Sequence, residues 1–357
     1  MKAHITGEEV TMARPAEPQL GTPTPQEAQA AVQQMTSAYW TTQIVYTMAK
    51  LAIADHLADS PQGVDQLAKA TETDAPTLYR LLRALAGLGL VQERDDGLFE
   101  TTALGRCLAT GALGGLRARA ILNGEEWYSA WGGLLESVRT GETAFDRVTG
   151  KPLFAHLACN PRTAAVFNET MAGSTEAAAR AVASVYDFSR CTTVVDVGGG
   201  TGAFLAGLLE TNPHLHGVLF DLPNVVPDAE RLLATAGVID RCELVAGDCL
   251  EAVPAGGDVY ILSWVIHDWD DEQSITILKN CRHAMGDDAR LLLIEQVIPP
   301  GNDPSLSKFY DLHMLVLTGG RERTKIEYRE LLDAADLELT RVIPTGVPRS
   351  IIEALPQ

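Results

Sequence analysis

From Cys191 onward, short β-branched runs recur between stretches of helical periodicity: TTVVDVGG, GVLFDL, CELVAGD, DVYILSWVI and ARLLLIEQV. Runs this short and this apolar suit strands buried on both faces, which occur where helices cover a parallel sheet. The alternation predicts an α/β fold built on a doubly wound sheet, and ELTRVIPT and RSIIEALP add a hairpin at its edge. Such sheets bind ligands outside the carboxyl ends of their strands, so the residues that follow each run are the candidates for chemistry.

The N-terminal third has a different texture. From about Gln26, apolar residues recur at helical spacing through AAVQQMTSAYWTTQIVYTMAKLAIADHLA, which predicts one long helix or two. GVDQLAKATETDAPTLYRLLRALAGLGLVQERDDGLFETT then reads as helix, turn, Pro-led helix and two short strands around Asp-Asp-Gly, a winged helix-turn-helix. The 357 residues divide accordingly into a flexible tail (1–25), a mostly helical winged-helix domain (26–112) and an α/β domain (113–357) whose first part, 113–190, is helical.

A winged helix either enters a DNA groove or serves as a packing and dimerisation module. Here the second helix carries only Arg80 and Arg83, the wing ERDDGLFE is acidic, and the chain's net charge is −19. Phosphate polymers and anionic membranes are repelled by such a field, so neither nucleic acid nor membrane is expected as a partner. A DNA-binding regulator is the weaker reading. The tail lacks the apolar core of a signal peptide, and the six cysteines form no C-x-x-C, so a reducing cytoplasm is the expected location.

VVDVGGGTGAF follows the first strand of the α/β region and opens a helix, so Gly198, Gly200 and Gly202 allow backbone to approach a ligand at a helix N-terminus. The same letters match the dinucleotide fingerprint G-x-G-x-x-A. Asp196, just before the glycines, would oppose a pyrophosphate but suits a ligand with an ammonium and no phosphate. Asp221 and Asp248 follow the next two strands, placed for ribose hydroxyls and for an adenine amino group. Three acids at successive strand ends favour S-adenosylmethionine over a dinucleotide; each acid alone would pass for a loop cap.

SWVIHDWDDEQ places His267 and Asp268 where a buried strand meets solvent. Asp268, Asp270 and Asp271 also make a good N-terminal sequence for the helix QSITILKNC, so part of this cluster is capping. With DVGGGTG, FDLP, GD and HDW in this order, followed by IEQVIPP and GGRERT, the chain resembles the small-molecule O-methyltransferases of the caffeate and hydroxyindole type over roughly residues 30–355. The resemblance implies that His267 is a general base flanked by Glu295 and Glu322, with Asp268 helping to shape the site. It further implies that Gly198, Gly200, Asp221, Asp248 and Cys249 hold the cofactor, and that the N-terminal domain forms an intertwined homodimer. One position departs from the pattern: plant members commonly carry lysine four residues before the histidine, and here Ser263 stands there.

A flat apolar acceptor suits Met and aromatic side chains. EEWYSAW, FNETM and DLHML therefore nominate Trp127, Phe167, Asn168, Met171 and Met314 as its pocket. The expectation is a cytoplasmic, homodimeric methyltransferase acting on a hydroxyl of a small aromatic secondary metabolite, with no metal. The rivals are N-methylation of a heteroaromatic such as a phenazine and a cofactor-binding relative turned to hydroxylation or decarboxylation.

Overall fold

The computed structural model describes residues 24–112 and 114–357, and the proposed tail lies almost wholly outside them. The first 20 described residues form a unit of their own, up to Gln43. Its helix Pro25–Thr36 starts on a capping box, with Thr24 and Glu27 each bonding the other's backbone N–H. No residue of this helix is buried, and Val32, Met35, Tyr39 and Trp40 are exposed.

In the rest of the chain, helices Val64–Thr71 and Ala75–Gly87 precede strands β1 (Val91–Glu93) and β2 (Phe99–Thr101), which pair antiparallel as the wing. Asp74 caps the second helix by accepting from Thr77 N–H. Its inward stripe of Leu78, Leu82 and Leu85 closes a small core with Met48, Ile53, Leu67 and Phe99.

The α/β region holds β3 (Thr193–Val197), β4 (His216–Asp221), β5 (Cys242–Ala246), β6 (Val259–Ser263), β7 (Arg290–Glu295), a short β8 (Val297–Ile298) and β9 (Arg323–Thr324), and the hairpin β10 (Leu337–Pro344) and β11 (Ser350–Pro356). The main sheet has the order β10-β11-β7-β6-β3-β4-β5. The five strands from β7 to the β5 edge run parallel, and β11 adds antiparallel to β7 with β10 on the other edge, the predicted hairpin. Continuous apolar runs such as Val194-Val195 and Leu291-Leu292-Leu293-Ile294 feed cores on both faces, as helix-covered strands require.

The strand order reverses around β3, whose neighbours are β4 and β6. That crevice is where an open α/β sheet presents a ligand site. The glycine loop follows β3, His267 follows β6 and Glu295 ends β7, so three neighbouring strand ends converge. No helix among the described residues is long and apolar enough to cross a membrane.

Candidate active site

A cavity of about 1200 Å³ opens above the carboxyl ends of β3, β4 and β6 and runs under the helices of the 116–172 and 306–318 segments. Its size exceeds the ~300–1,000 Å³ of an ordinary small-molecule pocket, which suits two molecules side by side. Gly198, Gly200, Asp221, Asp248, Cys249 and Ser263 line one part; Trp127, Phe167, Asn168, Met171 and Met314 line another. His267 and Asp268 lie on the wall as well. Of the residues nominated from the sequence for cofactor or acceptor, all but Gly202 border a single cavity, and Glu295 and Glu322 stand behind His267.

The glycine loop turns on left-handed backbone. Gly198 and Gly200 have φ of +69° and +57°, and a Cβ at Gly198 would lie 2.9 Å from Val265 Cγ2. Only glycine fits there without strain. Gly200 N–H donates to Asp221 Oδ2 at 2.7 Å, and Leu222 N–H to Oδ1 at 2.6 Å, so Asp221 both orders the loop and borders the cavity. Asp248 Oδ1 likewise accepts from Leu250 N–H at 2.9 Å.

Asp196 is different. It is 1% exposed, and neither carboxylate oxygen has a hydrogen-bond partner. Burial, with Asp221 nearby, pushes its pKa up to about 7. An orphaned buried carboxyl beside a glycine loop fits a ligand that brings a cation, the ammonium of an amino-acid moiety, and opposes one that brings phosphates. Ser263 Oγ, also buried and unpartnered among the described residues, offers one hydrogen bond there. These donors and acceptors fit S-adenosylmethionine.

His267 sits in a single 3-10 turn, Ile266–Asp268, and is 6% exposed. The chain reaches it through Trp264, whose φ of +57° puts a bulky residue in the left-handed region and turns the backbone away from β6. Glu295 Oε1 accepts from Val265 N–H at 3.1 Å and Ile266 N–H at 3.0 Å, and its Oε2 lies 3.7 Å from His267 Nδ1. Glu322 Oε1 lies 3.0 Å from the same Nδ1. With both acids on Nδ1, that nitrogen carries the proton, and Nε2, 3.9 Å from Asp268 Oδ1, is the atom left to meet a ligand. Burial opposes charge on this ring, but Glu295, Asp268 and Glu322 outweigh it and hold the pKa at about 9. Glu295 is raised in turn, by burial above all.

No metal-ligand spacing is visible in the sequence, yet the fold gathers three side chains able to ligate a metal, His267, Glu295 and Glu322, with one ligand atom each within 4.8 Å of the others. The Nδ1 to Glu322 contact is at hydrogen-bond distance, so the ring and the acid satisfy one another directly.

Sequence reasoning missed what holds this turn. Arg323 is fully buried and donates to Ile266 O, Trp269 O, Asp271 Oδ1 and Ser274 Oγ. Arg321 N–H donates to His267 O at 2.8 Å, and a Cβ on Gly320 would come within 2.0 Å of that oxygen. GGRERT thus contributes more than Glu322: its glycine permits the approach and its second arginine clamps the turn. The acids after Trp269 do cap the following helix, Asp270 accepting from Gln273 N–H. On the acceptor side the sequence missed Arg119, Tyr310 and His313. Trp131 Nε1 donates to His313 Nδ1 at 3.0 Å, and burial together with Arg119 keeps this histidine neutral with a pKa near 4.

Residues 131–338 match the family model of the O-methyltransferase domain, and residues 33–111 that of the O-methyltransferase dimerisation domain. The chain belongs to the O-methyltransferase family. It is 47% identical to the phenazine O-methyltransferase PhzM of Lysobacter antibioticus, over 90% of this chain and 95% of that protein. It is 38% identical to the 8-amino-8-demethylriboflavin N,N-dimethyltransferase of Streptomyces davaonensis, over 87% of this chain and 90% of that one. The solved structure of CalO1, a methyltransferase in calicheamicin biosynthesis in its SAH-bound form, superposes with a TM-score of 0.84 at 35% identity, over 94% of this chain and all of that one. The protein is therefore a methyltransferase whose cofactor is S-adenosylmethionine, and the winged helix-turn-helix matches a dimerisation module.

Proposed function

We propose that this chain methylates a hydroxyl of a small aromatic secondary metabolite, with Nε2 of His267 as the general base. One observation carries the reading: Nδ1 is engaged by Glu322 at 3.0 Å and faced by Glu295, so the ring is oriented with Nε2 toward a cavity that also holds the glycine loop.

S-adenosylmethionine supplies a methyl group on a sulfonium that leaves as a neutral thioether. The chain's own task is to align the acceptor and take its proton. Asp196, Asp221, Asp248, Cys249 and Ser263, with the backbone of Gly198 and Gly200, hold the cofactor in this reading. Trp127, Phe167, Met171 and Met314 sandwich the acceptor ring, and Asn168 offers it a hydrogen bond. The acceptor O–H gives its proton to His267 Nε2 while the oxygen lone pair forms the new bond to carbon. Glu295 and Glu322 then stabilise the imidazolium, the role a triad carboxylate plays in a hydrolase. The acids around His267 raise its pKa to about 9, and a sulfonium in the cavity would favour loss of that proton.

The exposed Val32, Met35, Tyr39 and Trp40 and the match to a dimerisation domain support a homodimer. N-methylation is the second reading, favoured by the similarity to the riboflavin N,N-dimethyltransferase. A nitrogen with its own lone pair needs little help from a base, which separates the two. Methyl transfer from labelled S-adenosylmethionine to hydroxylated aromatics and phenazines should fall by on the order of 10²–10⁴ in His267→Ala, the range of general-base catalysis. Transfer indifferent to that substitution would assign the chain to nitrogen acceptors.

A further inference from the structure

The cavity is charged unequally. On the cofactor side stand Asp196, Asp221 and Asp248; on the acceptor side stands Arg119, from helix Leu116–Gly124, the one Lys or Arg among the described lining residues. Arg119 Nη1 donates to the Tyr310 hydroxyl at 2.7 Å, while its Nε is buried with no partner. Among the described residues no carboxylate lies within 4.0 Å of it to form an ion pair; Asp146, the other acid on the acceptor wall, makes none with it.

A second guanidinium reinforces this. Arg349 is 4% exposed, stacks 3.5 Å from the centre of the Trp264 ring and donates to Ser174 Oγ at 2.8 Å, again without an acid in ion-pair range. Burial pulls its pKa down to about 9 against the attraction of Glu295, and Arg119 adds to the fall. Arg349 is a buried cation, and Arg119 is half-buried with its Nε shut away from solvent and unpartnered among the described residues. Charge left unpaired in this way is costly, in a chain that carries 47 acidic residues from which a partner could have been drawn. A compensating charge supplied by the ligand removes that cost.

We propose that the aromatic acceptor bears a carboxylate and that Arg119 pairs with it, Tyr310 holding the guanidinium in place. The planar fork of arginine matches a carboxylate, and Arg349, behind Trp264, adds positive potential to the same wall. This rests on the acceptor-pocket reading above and narrows the substrate class to hydroxylated aromatic acids. The competing use for Arg119 is the amino-acid carboxylate of the cofactor.

Binding separates the two without requiring turnover. With the full-length protein saturated with S-adenosylhomocysteine, calorimetry compares 3-hydroxy-2-naphthoate with 2-naphthol. The naphthoate should bind at least ~10-fold tighter, about 1.4 kcal/mol. Arg119→Gln should abolish that preference and Arg119→Lys keep part of it, while affinity for S-adenosylhomocysteine stays within about twofold. Equal affinities, no binding of the naphthoate, or a preference that survives Arg119→Gln overturns the proposal. So does weakening of S-adenosylhomocysteine in place of the naphthoate. Should Arg119→Gln not fold, the wild-type pair and Arg119→Lys still decide. Binding of the naphthoate without its methylation would leave this inference standing and sink the proposed reaction.

Discussion

Glu295 and Glu353 stand on adjacent strands of one sheet, β7 and β11, both buried, and they are built for opposite ends. Both oxygens of Glu353 are engaged: Tyr186 donates at 2.7 Å, Thr340 at 2.9 Å, and Arg341 through Nε at 2.8 Å and Nη2 at 2.9 Å. Burial works against its charge, but Arg341, Tyr186 and Thr340 prevail and bring its pKa down to about 2. Among the described residues Glu295 meets no arginine within ion-pair range. One of its oxygens accepts two backbone N–H groups, the other faces His267 Nδ1 at 3.7 Å with no hydrogen-bond partner among the described residues, and its pKa rises to about 7. A carboxylate that serves stability is saturated with donors; the one beside the proposed base is left half satisfied, and a structure tolerates that only where the surroundings hold it. Arg323 and the backbone of Gly320 and Arg321 provide that hold around His267.

The comparison breaks or sharpens under substitution. Replacing Glu353 by Ala should lower the unfolding free energy by roughly 2–3 kcal/mol, below the full cost of breaking a buried pair because Arg290 and Arg341 reach water. Urea unfolding measures this, and kcat at low temperature should stay near wild type. Glu295→Gln should behave inversely: the amide oxygen still serves Val265 and Ile266, so stability moves by less than ~1 kcal/mol, while kcat falls by roughly 10–10²-fold as the imidazolium loses a charged neighbour. Equal loss of stability in both variants would erase the distinction.

A proton count probes the His267 end. S-adenosylmethionine adds a positive charge that S-adenosylhomocysteine lacks. Binding the former at pH 8 should therefore release most of a proton from His267, held at about 9 beforehand, and binding the latter should not. Heats measured in buffers of different ionisation enthalpy give the count, and identical release for both ligands contradicts the assignment. The smallest effect concerns acid. Glu353 sits below its ordinary 4.5, so its contribution is complete above that pH and is lost as pH falls toward about 2. Wild type should lose more stability across that window than Glu353→Gln.

Much of this was legible beforehand because it is written in local pattern. Apolar runs, Asp-Asp-Gly at the wing and the edge hairpin follow from periodicity and turn chemistry, and β3 to β7 fall on the five runs that predicted them. Gly198 and Gly200 follow from the backbone they must adopt. His267 stood out because an imidazole after a buried strand lies where a parallel sheet presents ligands. Arg323, Arg119 and Arg349 did not stand out, since an arginine in a sequence is by default a solvated charge, and only the fold buries Arg323 and Arg349 and sets Arg119 on the cavity wall. His267 and Glu322 are 55 residues apart in sequence and 3.0 Å apart in space.

Sequence alone determined which elements form and which residues follow each strand, because periodicity, turn residues and helix caps act over a few neighbours. Tertiary structure alone decided which nitrogen of His267 meets the cavity and which carboxylates lack donors. It also decided which arginines lost their water, because each depends on groups that meet only once the sheet and its helices have packed.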